Sequence, residues 1–159
     1  MSKAECTFKD FVDSADPYHR DFFADVDKML TDKGYLPKIE LKKTGYAVSY
    51  LNKKLKRTIV NFVTRRKGIL MRIYADNTDQ YMHVFSDLPD SMVKEIIKSQ
   101  DCKRMIDPTA CNPKCKMGIS IVLNNELHKK CRYSALMFLV QPEKYDHLIN
   151  ILNNEIDVS

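Results

Sequence analysis

Four of the five cysteines fall within thirty residues, at Cys102, Cys111, Cys115 and Cys131, spaced C-x8-C-x3-C-x15-C. Thiolates at about 2.3 Å from a tetrahedral zinc ion could tie down the stretch 101–116, which carries Pro108 and Pro113 and has no regular periodicity. The spacing lacks the tight C-x2-C knuckle, and a free cysteine is also an ordinary buried hydrophobe, so free thiols are the alternative. The odd cysteine count and the absence of an apolar core in Met1–Asp10 predict a reducing, cytoplasmic setting over a disulfide framework. Cys131 lies near His128, Lys129, Lys130 and Arg132, and cations of this kind lower a thiol pKa, the chemistry of a thiol enzyme or redox sensor. Residues three apart in a strand point to opposite faces, however, so a Cys–His dyad is not implied. His19, His83, His128 and His147 form no H-x-H or H-x3-H pair, and no two carboxylates suggest acid–base work.

A second constellation is cationic. The net charge of +5 hides a concentration: residues 36–72 carry eleven Lys and Arg against Glu40 alone, while the flanking stretches are mildly acidic. Such a local positive field suits phosphates. Alternation puts Arg57, Ile59, Asn61 and Val63 on one strand face, and Leu70, Arg72 and Tyr74 on one face of the next. The intervening turns add Lys53, Lys54 and Lys56, then Arg65, Arg66 and Lys67. Basic residues interleaved with aromatics suit single-stranded nucleic acid, where stacking contributes about 1–3 kcal/mol per base. No RNP, helix-turn-helix or zinc-finger pattern accompanies them. The competing reading is structural: an acidic first helix packs beside the basic sheet, and the turn lysines form a solvated rim.

The elements that must position these residues follow from local signals. Asp16-Pro17 caps a helix over 17–33, with Tyr18, Phe22, Val26, Met29 and Leu30 at helical spacing and Gly34 as the stop. Phe8, Phe11 and Val12 predict a short helical turn before it. From 36 to 75 the period becomes two, with turns at Thr44-Gly45, Asn52-Lys53-Lys54 and Arg65–Gly68, which predicts a four-stranded antiparallel meander. Residues 76–100 turn helical, Asp87-Leu88-Pro89 opening a segment with Met92, Val93, Ile96 and Ile97 as its apolar stripe. Met117–Leu123 predicts a strand, Asn124-Asn125 a hairpin turn, and 127–140 its partner, with Leu123 facing Glu126 and Gly118 facing Cys131. Pro142 opens a last helix carrying Tyr145, Leu148, Ile149 and Leu152.

These elements predict one α+β domain over 1–159: N-terminal helix, antiparallel meander, helical segment, cysteine-containing loop, β-hairpin and C-terminal helix. The four glycines, Gly34, Gly45, Gly68 and Gly118, are too scattered for a P-loop or dinucleotide fingerprint. The longest pure apolar run, Ala135–Val140, is far short of the roughly 20 residues that span a bilayer, so no membrane partner is expected.

The segment Cys102–Cys115, with Lys130-Cys-Arg-Tyr133, Met137-Phe138 and Thr58–Tyr74, resembles a group of uncharacterised cytosolic proteins of clostridia and related bacteria. That resemblance brings no assigned activity and no catalytic residue. The helix-then-meander layout is loosely similar to frataxin-like and YjbR-like domains. The frataxin-like likeness implies iron binding on an acidic helix face, here Asp21, Asp25 and Asp32; a solvated acidic face is the alternative. Three functional readings stand: a non-enzymatic module whose basic meander contacts nucleic acid or another phosphate-bearing ligand; a protein-interaction domain with structural zinc at Cys102, Cys111, Cys115 and Cys131; and a thiol-dependent enzyme or redox sensor. The sequence leaves the oligomeric state open.

Overall fold

The computed structural model describes residues 6–110 and 118–158. The chain is α+β, as its periodicities predict. A five-stranded antiparallel sheet has the order β1-β2-β3-β4-β7, and a separate hairpin pairs β5 with β6. The strands are β1 (Leu36–Lys42), β2 (Gly45–Asn52), β3 (Arg57–Arg65), β4 (Gly68–Ile73), β5 (Ile119–Leu123), β6 (Glu126–Lys130) and β7 (Met137–Leu139). The α-helices are α1 (Phe8–Ser14), α2 (Arg20–Asp32), α3 (His83–Ser86), α4 (Asp90–Lys98), α5 (Lys103–Ile106) and α6 (Tyr145–Val158). No described helix is long and apolar enough to cross a membrane. The chain divides into two compact units: Met1–Arg72 with Leu139–Tyr145, and Ile73–Phe138 with Asp146–Ser159.

In the first unit, local chemistry sets the helix ends. The Thr7 hydroxyl accepts the Asp10 amide and the Asp10 carboxylate accepts the Thr7 amide, a reciprocal capping box on α1. The Asp16 carboxylate accepts the Tyr18 amide at 3.1 Å, starting a 3-10 turn, Pro17–His19, that leads into α2. Gly34, at φ +87°, ends α2 in the left-handed conformation that glycine adopts without steric cost. Phe11, Phe23 and Phe62 form the core against the sheet. Phe23 lies 4.9 Å from both other rings and meets Phe62 edge to face. Phe22 stacks on Tyr145 at 4.4 Å.

One residue overturns the strict alternation expected of β3. Tyr50 pairs with Val60 but Leu51 pairs with Thr58, so Ile59 is a bulge. Above it, Val60 and Phe62 face the core with Val48 and Tyr50, and Asn61 and Val63 face outward. Below it the faces exchange. Thr58 falls on the outer side with Leu51, and Arg57 leaves the Asn61 face on which alternation had put it, while Ile59 is buried.

In the second unit, α4 buries Met92, Val93 and Ile96, whereas Ile97, expected in that stripe, is 38% exposed. Between β4 and α3 the chain makes only a 3-10 turn, Thr78–Gln80. The β5–β6 hairpin has the expected register, Leu123 opposite Glu126, and Asn124 and Asn125 both take positive φ. That is the geometry a two-residue hairpin requires, and asparagine tolerates it. The strand expected over 127–140 is broken. Beyond Lys130 the Ser134 and Ala135 amides both donate to the Cys131 carbonyl, and the chain turns before β7. Arg132, which an exposed strand would leave in solvent, is instead buried in an ion pair with Asp76 at 2.5 Å.

Candidate functional site

The outer face of the meander holds a hollow of about 570 Å³. Its floor is Ala47, Ser49, Asn61 and Val63, small or polar side chains standing side by side on β2 and β3, with Ala47 opposite Val63 and Ser49 opposite Asn61. Its rim is cationic: Lys42, Lys43 and Arg65, with Glu40 between. Glu40 bridges Lys38 at 2.9 Å and also Lys42. Those two ammonium groups hold its carboxyl down to about 2, so it stays charged and offsets part of the positive field. Lys43 and Arg65 have no ionic partner among the described residues. Thr44 anchors the turn by donating to the Thr64 carbonyl at 2.6 Å.

The sequence singled out other cations as well, and the fold separates them. Arg65, Arg66 and Lys67 are exposed at the β3–β4 turn, the same end of the sheet as Lys43. Lys53, Lys54 and Lys56 are exposed at the opposite end, roughly 27 Å away along the nine residues of β3. Arg57 and Arg72 are half-buried and already engaged by other groups. The aromatic half of the predicted constellation does not join them. Tyr74 follows the end of β4, in the second unit, and meets Tyr133 edge to face at 5.7 Å. Tyr50 is fully buried and donates to Asp27 at 2.7 Å; burial first, then that carboxylate, push its hydroxyl pKa above the ordinary tyrosine range. The outer faces of β1, β2 and β3 therefore carry no ring on which a base could stack. Lys42, Lys43 and Asn61 were missing from the sequence-derived set. The signal for Lys42 was present, because it alternates with Lys38 and Glu40 and so shares their face.

Lys67 lines a different hollow, of about 490 Å³, with His19, Tyr18, Asp16, Ile69 and Leu139. There the His19 Nδ1 meets the Tyr145 hydroxyl, which also lies 3.2 Å from the Tyr18 carbonyl. A hydroxyl has one proton, so when Tyr145 donates to the carbonyl, His19 donates from Nδ1. Burial first, then Asp16 and Glu143, raise the Tyr145 pKa, which keeps that proton in place.

Of the four cysteines proposed for zinc, Cys111 and Cys115 lie outside the described residues. Cys102 is buried, Cys131 is half-buried, and both are free thiols. The Cys102 amide donates to the Lys129 carbonyl and the Cys131 amide to the Gln100 carbonyl, flanking the bridge between Asp101 and Lys130. Cys102 and Cys131 therefore lie on one face as diagonal neighbours, about 7–8 Å apart at Cα. That separation exceeds the reach of a disulfide. The Cys102 sulfur accepts the Gly118 amide at 3.2 Å. A Cβ at Gly118 would fall 2.6 Å from Cys102 Cβ and 2.1 Å from the Lys130 carbonyl oxygen, so only glycine fits. Among the described residues no group of three or more His, Cys, Asp or Glu side chains is placed to hold a metal ion. On α2, Asp21, Asp25 and Asp32 are exposed, and Asp32 is paired with Lys28 at 2.7 Å.

The chain matches no protein-family model, and neither a curated protein nor a solved structure is significantly similar to it. Function rests on the geometry alone.

Proposed function

We propose that this chain is a non-enzymatic binding module that takes a phosphate-bearing partner, a nucleic acid strand, along the outer face of its meander. The observation that carries the reading is the pair Lys43 and Arg65, cations without an ionic partner among the described residues, at the rim of a hollow floored by Ser49 and Asn61. The small floor admits a phosphate, and Ser49 and Asn61 supply polar atoms to its oxygens. With no ring on this face, contact is to the sugar–phosphate backbone, and binding is tolerant of sequence. Arg66 at the same end, and Lys53, Lys54 and Lys56 at the other, would hold further phosphates.

Fluorescence anisotropy with a labelled single-stranded oligonucleotide tests this. The expected result is binding at low salt whose logarithm falls linearly with the logarithm of salt, with a slope of about −0.7 per phosphate contacted. Replacing Lys43, Arg65 and Arg66 with Ala should flatten that slope. No binding at low salt, or an unchanged slope in the triple variant, removes the proposal.

A second reading is favoured by the shared face of Cys102 and Cys131: a thiolate zinc site in a protein-interaction domain. It predicts a native mass one zinc above the denatured mass in protein purified without chelator, lost on Cys131→Ser. A native mass equal to the bare chain retires it.

A further inference from the structure

We infer that the β1 edge of the sheet is a self-association surface, pairing with β1 of a second copy in one antiparallel register centred on Ile39. β1 is the outermost strand and seven residues long, whereas the strand at the other edge, β7, has three. Lys42 pairs with Gly45 across a two-residue turn, which makes them a mutually hydrogen-bonded pair. From there the ladder alternates. Residues 36, 38, 40 and 42 direct their amides and carbonyls to β2, and residues 37, 39 and 41 direct theirs to the open edge. Pro37, which has no amide proton to offer, thus stands at an outward position, where an edge strand tolerates it.

Charge selects the register. Centred on Ile39, the pairing sets Lys38 opposite the partner's Glu40 and Glu40 opposite the partner's Lys38. Centred on Glu40, it would set the two glutamates against each other and Lys38 against the partner's Lys42. Opposite charges directly across a ladder stabilise it and like charges oppose it. In the favoured register each Ile39 amide reaches the partner's Ile39 carbonyl, and each Leu41 amide reaches the partner's Pro37 carbonyl. Leu41, 62% exposed, comes to lie against the partner's Pro37, and Leu36, 41% exposed, against the aliphatic stem of the partner's Lys42. Lysines on an edge normally discourage pairing. Here they reject the registers centred on Lys38 and on Glu40, while Glu40 admits the one centred on Ile39, the register that pairs the whole strand. The contact is two-fold symmetric and uses both β1 edges, so it closes as a dimer.

Sedimentation velocity over about 10–500 µM tests this, a range suited to a small interface. Wild type should shift from monomer to dimer across it. Lys38→Glu alone and Glu40→Lys alone should each weaken the dimer about tenfold or more, and the combined swap, K38E with E40K, should restore it. A wild type that stays monomeric throughout, or a combined swap no tighter than the single variants, overturns the inference. A second measurement leaves those charges untouched. Leu36→Cys and Lys42→Cys proteins, mixed and mildly oxidised, should form a mixed disulfide dimer above the wild-type background, and neither should do so alone. Equal self-linking of the separate variants, or no linking of the mixture, also overturns it.

Discussion

The two compact units differ in how much charge they bury. The second buries three charged side chains, Lys130, Arg132 and Glu155. Glu155 is fully buried and accepts the Asp76 and Asn77 amides at 3.1 Å each, the Asn77 side chain at 2.9 Å and the Tyr81 hydroxyl at 2.7 Å. Lys130, 4% exposed, donates to the Ile97 and Ser99 carbonyls and to Asp101. In the first unit most charge is outside, the buried Lys144 excepted, and the turn cations Lys43, Lys53, Lys54, Lys56, Arg65, Arg66 and Lys67 have no ionic partner among the described residues. A buried charge survives only when its hydrogen-bonding capacity is met from within, which leaves it nothing to offer a ligand. An exposed, unpaired cation contributes almost nothing to folding and keeps its whole capacity for a partner. The contrast separates residues that hold the fold from residues available for binding.

The largest expected effect tests the buried side of that contrast. Glu155→Leu strands the Tyr81 hydroxyl, the Asn77 amide group and two backbone amides, and should destabilise the protein by about 3–5 kcal/mol in a denaturant titration. A loss below about 1 kcal/mol would show that the network is dispensable. Lys130→Met keeps the aliphatic stem but leaves two carbonyls and Asp101 without their donor, for an expected loss of about 2–3 kcal/mol by the same measurement.

Tyr50→Phe probes the buried polar group of the first unit and should cost about 1 kcal/mol at neutral pH. Its pH dependence has a fixed sign. The folded pKa lies above the unfolded value of about 10, so the contribution is complete below pH 10 and fades as pH rises beyond it. The variant's stability should therefore fall less steeply than wild type above pH 10. For Glu40 the sign is opposite. Its folded pKa of about 2 lies below the unfolded value, so its contribution is present above about pH 4.5 and lost as the solution is acidified toward 2. Glu40→Gln should lose slightly less stability than wild type across that window, a small difference visible by acid titration of the fold. The smallest stability change belongs to Lys43→Ala with Arg65→Ala, within about 0.5 kcal/mol of wild type, alongside weaker oligonucleotide binding. A large loss of stability there would erase the distinction between the units.

Much of this was legible from local signals. α2 follows from Asp16-Pro17, the helical spacing of Phe22, Val26 and Leu30, and Gly34. The β5–β6 register follows from two adjacent asparagines. Even Glu155 left a trace, because it falls at helical spacing after Leu148, Ile151 and Leu152 and so on the buried face of α6. The bulge at Ile59 left none, since an inserted residue in a strand looks like any other until its partner strand is in place. The break after Lys130 was hidden for a similar reason. Arg132 leaves the strand to reach Asp76, a residue remote in sequence.

The sequence by itself determined the α+β class, the helix caps, the turns and the concentration of positive charge in 36–72. Each depends on hydrogen bonds and side-chain periodicities that act over a few residues. Only the tertiary structure decided which cations share a face, that no aromatic ring joins them, that Cys102 and Cys131 flank one bridge, and that Glu155 and Lys130 are buried and satisfied. Those outcomes depend on strand pairing and burial between residues far apart in the chain, and local spacing carries no information about the distance between them.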